Sequence, residues 1–356
     1  MNHPSTSKEP SSITSSTDPN SQEQKLPKDE PPEFVRRVRY KSILKAKDVV
    51  LGVYEIGHLL AYGGFGELRI GKDIETNENV AIKLEKKRTK DSRLFLEYRL
   101  YQIMGESTGI PKVLYYASCD NYNALVMELL GLSLKDLFQL CNYQFCLKTI
   151  CMIAVKCISL LEFVHSKGII YRDVKPENFL ISRDPRRHHQ LHIVDFGLAK
   201  EYKNRKTGRH IPLRSRQSIV GTIDFLSVNA HIGEEQSRRD DMESLAYMLL
   251  YLARGSLPWH YKKLPDRDSM GKMIQQVADK KINITIEELF DGLPEECARY
   301  MVTVRELDFF DQPDYELLKD YWLSLMDRRN WPFDNDFDWA PYLKKIVGHS
   351  RIVVKN

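Results

Sequence analysis

The run Tyr171-Arg172-Asp173-Val174-Lys175-Pro176-Glu177-Asn178 sets an acid, a cation and an amide at spacings that suit phosphoryl transfer. Asp173 can accept the proton of an attacking hydroxyl, Lys175 can neutralise charge on the travelling phosphoryl group, and Asn178 can hold a magnesium ion through its side-chain oxygen. Lys175 also points to serine or threonine as the acceptor. A second magnesium ligand is expected after a short strand, and Leu191-His192-Ile193-Val194 runs straight into Asp195-Phe196-Gly197. Asp195 would take the metal that bridges the phosphates of ATP, and Gly197 lets the chain turn sharply. Upstream, Val80-Ala81-Ile82-Lys83 reads as a strand that sends one ammonium inward to the α and β phosphates. Its carboxylate partner is Glu97, in the helical run Phe95-Leu96-Glu97-Tyr98-Arg99-Leu100-Tyr101.

Positioning these groups needs two different kinds of element. From Val50 the pattern alternates as short strands do, over Tyr54–Leu60, Glu67–Lys72 and Asn79–Leu84, with turn residues at Glu75-Thr76-Asn77-Glu78. The helix with Glu97 interrupts this sheet, and Lys112–Ala117 and Ala124–Met127 continue it. Beyond Leu130-Gly131 the chain becomes mainly helical, with amphipathic stretches at Leu147–His165 and Asp241–Tyr251. The expected class is therefore α+β: a small antiparallel sheet with one helix over residues 46–130, and a mainly helical lobe over residues 131–343. The boundary falls near Glu128–Gly131, where a nucleotide cleft is expected. Residues 1–45 form a Ser/Thr/Pro-rich tail with little to pack and are expected to be disordered, and residues 344–356 form a short basic tail.

Composition narrows the function classes. A chain of 356 residues, 42% hydrophobic and 29% charged, can bury a sizeable core, and its net charge of +4 does not argue for nucleic acid. Arg238-Arg239-Asp240-Asp241 reads as local charge pairing. The six cysteines include no pair at zinc-knuckle spacing, and are read as reduced core thiols of an intracellular protein. His188, His189 and His192 lack companions at ligand spacing and are read as structural. No apolar run approaches the roughly 20 residues that span a bilayer, and the amino terminus is not a signal peptide. A soluble monomer in the cytoplasm, with the nucleus also open to it, is expected.

Several segments carry a family resemblance. Glu128-Leu129-Leu130-Gly131, Tyr171 where a catalytic-loop histidine is usual, Ser227-Val228-Asn229 where most protein kinases have Ala-Pro-Glu, and Glu235-Gln236-Ser237-Arg238-Arg239-Asp240-Asp241 together resemble the casein kinase I family, over roughly Val50–Trp339. Phe65-Gly66-Glu67-Leu68-Arg69, His165-Ser166-Lys167 and Leu307-Asp308-Phe309-Phe310 look like its gamma branch. The resemblance implies a bilobal protein serine/threonine kinase that uses ATP and Mg2+ and acts on protein substrates. It implies a nucleotide pocket lined by Leu60, Ala61, Gly63, Gly64, Gly66, Leu68, Ala81 and Leu180, with Met127 at its entrance and adenine on the backbone near Glu128 and Leu130. Thr222 would contact the catalytic aspartate and lysine, Asp241 would brace the catalytic loop, and the activation segment would work without phosphorylation.

Three departures from the family pattern bear on function. The phosphate-covering loop reads Ala61-Tyr62-Gly63-Gly64-Phe65-Gly66, with alanine as its first expected glycine. Were that position left-handed, the cost would be roughly 1–2 kcal/mol, and weakened ATP affinity is expected. Positions that read an upstream phosphate in family members look like Gln217, Asp224 and Met270, none of them a cation. The family's gamma branch has a long tail with lipid-accepting cysteines, whereas no cysteine follows Cys297 here and only scattered cations, Lys344, Lys345, Arg351 and Lys355, could touch anionic lipid. The alternative reading is a kinase-shaped scaffold or catalytically weak pseudokinase, prompted by Ala61 and the substrate-reading loop. Such scaffolds usually lose Lys83, Asp173, Asn178 or Asp195, and all are present.

Overall fold

The computed structural model describes residues 50–63, 66–87, 92–260 and 269–344. Both expected tails, apart from Lys344, and Gly64 lie outside these residues. The strands β1 (Val50–Leu51), β2 (Tyr54–Gly63), β3 (Gly66–Asp73), β4 (Asn79–Lys86), β5 (Val113–Ser118) and β6 (Tyr122–Glu128) form one antiparallel sheet in the order β1-β2-β3-β4-β6-β5. Helix α1 (Arg93–Met104) lies between β4 and β5 in the chain.

Alternation along β4 divides the sheet into two faces. Val80, Ile82 and Leu84 pack with Tyr54, Ile56, Ala124 and Val126 on one side. Ala81 packs on the other with Leu125, Met127 and the buried residues of α1. Cross-strand register lines up Ala61, Leu68, Lys83 and Leu125 in one row and Ile70, Ala81 and Met127 in the next. The Ser92 side chain caps α1 by accepting from the Phe95 amide, and Gly105 ends it at φ 69°. The buried stripe of α1 is Leu94, Glu97, Leu100, Tyr101 and Met104, so a carboxylate occupies an otherwise apolar face.

The rest of the described chain is helical with short ladders: α2 (Leu134–Leu140), α3 (Leu147–Ser166), β7 (Ile169–Ile170), β8 (Phe179–Ile181), β9 (Leu191–Ile193), β10 (Lys200–Glu201), α4 (Val228–His231), α5 (Arg238–Arg254), α6 (Met270–Asn283), α7 (Ile286–Leu289), α8 (Glu295–Arg305) and α9 (Tyr315–Arg328). Helix α3 packs against α5 and α9 at the centre of this lobe. β7 pairs with β10 and β8 with β9, so the loops 171–178 and 194–199 are each held at both ends by a short antiparallel ladder. Among the described residues no helix is long and apolar enough to cross a membrane.

Local expectations change in three places. The β3–β4 turn is organised one step earlier, by Asp73 Oδ1 accepting from the amides of Glu75 and Thr76, with Asn77 at φ 63°. Arg238-Arg239-Asp240-Asp241 pairs locally only between Arg239 and Asp240, at 3.9 Å, and its other charges reach outside the run. Asp240 accepts from the Ser227 hydroxyl at 2.5 Å, Asp241 faces the catalytic loop, and Arg239 reaches Glu234 at 3.0 Å. Asp240 caps α5 by accepting from the Ser237 amide at 2.7 Å, whereas Asp241 turns away from that helix end toward the Tyr171 and Arg172 amides. The cysteines are free, but Cys146 is exposed, and its sulfur caps α3 by accepting from the Thr149 amide, so it is no core thiol.

Candidate active site

Lys83, on the inward face of β4, donates to Glu97 Oε2 at 2.6 Å and to Asp195 Oδ1 at 2.7 Å. Three elements distant in sequence thus meet at one ammonium. Burial lowers the Lys83 pKa, but the charges of Glu97 and Asp195 outweigh it and hold the ammonium well above its ordinary range. Burial pushes Glu97 up to about 7, against the opposing pull of Lys83. Asp195 goes the other way: burial would raise it, yet Lys83 keeps it below the usual carboxylate value. Asp195 sits at φ 61° and its amide donates to the Tyr101 hydroxyl at 3.2 Å. Phe196 beside it is buried between the rings of Tyr101 and Tyr171, with centroids 5.1 and 5.2 Å away. A non-glycine residue at positive φ costs about 1–3 kcal/mol, and such strain persists where surroundings enforce it.

Asp173 is 3% exposed and surrounded by donors. Thr222 Oγ1 donates to its Oδ1 at 2.7 Å, Lys175 Nζ to its Oδ2 at 2.6 Å, and Asn178 Nδ2 to its backbone oxygen at 3.0 Å. Thr222 therefore bonds the aspartate, while Lys175 meets it from the other side. The loop is braced from below by Asp241, whose Oδ2 accepts from the Tyr171 amide and whose Oδ1 accepts from the Arg172 amide, both at 2.7 Å. His165 Nε2 lies 2.8 Å from the same carboxylate, and its Nδ1 lies 2.7 Å from the Tyr315 hydroxyl. Because Nε2 faces a carboxylate, the tautomer assigned from this network carries its proton there and accepts from Tyr315 at Nδ1. Arg172 is held at φ 66° and donates to Leu198 O at 2.7 Å. Tyr171, where a histidine is usual, is buried and donates to Val194 O at 2.6 Å.

Between the lobes lies a cleft of about 400 Å³. Leu60, Ala61, Gly63, Gly66, Leu68, Ala81, Lys83, Glu97, Met127, Glu128, Leu130, Leu180, Asn178 and Asp195 all line it. Sequence reasoning missed Pro111, just before β5, and Val194, just after β9, which also line it, because neither side chain carries a chemical signal in the sequence. A larger cavity of about 640 Å³ lies behind α1, and it contains none of Lys83, Asp173, Asn178 or Asp195, so it is not where this chemistry is assembled.

Ala61 extends in β2 opposite Leu68 and is not among the residues at positive φ. The strain that motivated an expected loss of nucleotide affinity is absent. Gly66 is the position that demands glycine, at φ 132° with Leu84 O only 1.9 Å from where a Cβ would stand.

The three positions expected to face an upstream phosphate have separate surroundings. Asp224 Oδ2 lies 2.9 Å from His260 Nδ1, the Gln217 amide donates to Gly233 O at 2.8 Å, and Met270 starts α6 with its side chain packed on the core. Arg214 and Arg216 are exposed. Residues 54–308 match the family model of the protein kinase domain.

Proposed function

Because this chain belongs to the protein kinase family, we propose that it is a serine/threonine kinase of casein kinase I type and gamma-branch character, which moves the γ-phosphoryl group of ATP onto hydroxyls of protein substrates. Its sheet and helical lobes are the bilobal fold of that family, and protein kinases use ATP with Mg2+. The observation that carries the reading is Asp173, oriented through one oxygen by Thr222 and through the other by Lys175. In this reading Asp173 aligns the acceptor hydroxyl and takes its proton. Lys175, next to it, stabilises charge on the transferring group and favours serine or threonine as the acceptor.

The donor chemistry fits magnesium. Asn178 spends its Nδ2 on the Asp173 backbone, which leaves Oδ1 as the remaining acceptor of that amide, and Asp195 adds a carboxylate. Two hard oxygen ligands suit an ion that relies on substrate phosphates and water for the rest of its shell. When bound, the metal supplies charge neutralisation at the phosphates. Lys83, kept in place by Glu97, holds the α and β phosphates beside the metal, and the Leu68, Ala81, Met127 and Leu180 walls enclose the base at the other end. An intact Lys83, Glu97 and Asp195 cluster favours this over a scaffold.

We further assign to this kinase a weakened preference for substrates already phosphorylated upstream of the target residue, because Gln217, Asp224 and Met270 offer no cation. A peptide array with serine, threonine and tyrosine acceptors in neutral, acidic and phosphorylated contexts tests the whole reading. Phosphorylation of serine and threonine peptides in all three contexts supports it. Transfer to tyrosine alone, or none to any peptide, overturns it.

A further inference from the structure

Lys281 on α6 is 0% exposed, a rare state for a lysine. Its ammonium lies 4.6 Å from the centroid of the Tyr247 ring and 4.9 Å from that of Trp259. It donates to Ile223 O at 3.1 Å and to Leu226 O at 2.6 Å. Both carbonyls belong to the turn that starts at Thr222, whose own oxygen accepts from the amides of Phe225 and Leu226. The same turn is gripped by Trp259 Nε1, which donates to Asp224 O at 2.9 Å. Above it, Gly221 packs so tightly on the catalytic loop that a Cβ there would stand 2.6 Å from Arg172 O. A chain of direct contacts therefore runs from the Lys281 ammonium, through the backbone of the turn, to the Thr222 hydroxyl and Asp173 Oδ1 at 2.7 Å.

From this we infer that Lys281 is a positioning residue for phosphoryl acceptance: it clamps the Thr222–Leu226 turn from beneath and so fixes both the aim of Asp173 and the surface that receives the acceptor peptide. The inference rests on the proposed kinase function. Burial pushes Lys281 down to about 7, against the pull of the Glu243 and Asp224 charges, and two carbonyls with two aromatic faces offset part of the desolvation of the ammonium. A methionine of similar shape would fill the cage without the donors, so the fold does not need the cation for packing alone. Nucleotide binding should be indifferent to Lys281, because the residue touches neither Lys83, Glu97 nor Asp195.

The test is a double-mutant cycle of Lys281→Met with Thr222→Ala, in the full chain, read by peptide kcat and KM and by the Kd of a fluorescent ATP analogue. Lys281→Met should lower kcat for a serine peptide about tenfold or more and raise peptide KM, with nucleotide Kd changed less than about twofold. In the Thr222→Ala background the same change should cost less than about twofold further, because the path it acts through is already broken. Lys281→Gln, which keeps an N–H donor, should fall between wild type and Lys281→Met and serves equally if the methionine variant folds poorly. Losses that multiply fully across the two backgrounds, or a parallel loss of nucleotide affinity, would show a merely structural lysine. Unchanged kcat in a folded Lys281→Met variant would overturn the inference while leaving the kinase reading intact, whereas an inactive wild-type protein would overturn both.

Discussion

Glu97 occupies an apolar stripe of α1, so its carboxylate would bear a large desolvation cost if Lys83 were not 2.6 Å away. Removing Lys83 would leave the Glu97 carboxylate buried without its cation, at about 3–5 kcal/mol, whereas removing Glu97 leaves Lys83 paired with Asp195 at 2.7 Å. Burial also makes this pair sensitive to pH. The Glu97 pKa rises from its ordinary 4.5 to about 7, so the folded state holds a proton that the unfolded state has released between those values. The stabilisation this represents is fully present below the lower value and is lost as pH rises through the upper one, at up to about 1.4 kcal/mol per pH unit. Denaturant unfolding of the nucleotide-free protein and of Glu97→Gln should therefore show the wild type losing stability relative to the variant as pH rises from 5 to 7. Parallel pH curves would contradict the assignment. The cluster itself was legible, since Lys83, Asp173, Asn178 and Asp195 each sit in a short contiguous motif. His165, Tyr315 and Lys281 were not, because each reaches the site through contacts between elements far apart in the chain, and a lone histidine, tyrosine or lysine gives no local signal.

At the scale of elements, strands were easier to read than short helices. Alternation marks β2, β3 and β4 directly, while α4 and α7 have four residues each, too few to show a period, and α6 turns a lysine inward where an apolar residue is expected. The β2–β3 hairpin separates two roles that its glycines share in sequence. Ala61→Gly should change nucleotide Kd by less than about threefold, because Ala61 is unstrained, whereas Gly66→Ala should weaken binding by about tenfold or more, because its Cβ would collide with the β4 backbone. Isothermal titration with an ATP analogue distinguishes the two, and equal losses would refute the separation. The activation segment is held by backbone and ion-pair contacts that need no phosphate: Ile211 N to Tyr202 O at 2.8 Å, Glu235 N to Arg214 O at 2.8 Å, and Lys200 to Glu235 at 2.8 Å. Phosphatase-treated enzyme should keep its rate. A large loss, restored by an upstream kinase acting at Thr207, Ser215 or Ser218, would contradict this.

Across the whole molecule, the sheet lobe supplies Lys83 and Glu97 and the helical lobe supplies Asn178 and Asp195 to one cleft, while Asp173, Lys175 and Thr222 stand beside that lining, joined to it where Asn178 bonds the Asp173 backbone. The change from alternating strands to helices near Glu128–Gly131 made that architecture readable, as did the order of the motifs along the chain. The surroundings of Asp224 were less readable, because its partner His260, 2.9 Å from the carboxylate, lies 36 residues away in the chain. A phosphorylated peptide brings a charge of about −1.5 to −2 toward this surface. Phosphorylation upstream of the target should therefore raise kcat/KM little or lower it, while Asp224→Arg should raise it selectively for phosphorylated or acidic peptides, with the gain blunted by salt. A tenfold preference in the unmodified enzyme, about 1.4 kcal/mol, would mean that Arg214, Arg216 or another cation has taken over that task. The central claim is that this cleft transfers phosphate with Asp173 as its base, and the most direct measurement compares wild type with Asp173→Asn for phosphoserine and phosphothreonine formed from ATP and Mg2+, alongside nucleotide affinity. The account predicts product from the wild type, a loss of about a hundredfold or more in the variant, and nucleotide Kd within about threefold in both; substantial turnover by Asp173→Asn, or no product from the wild type on any serine or threonine peptide, would contradict it.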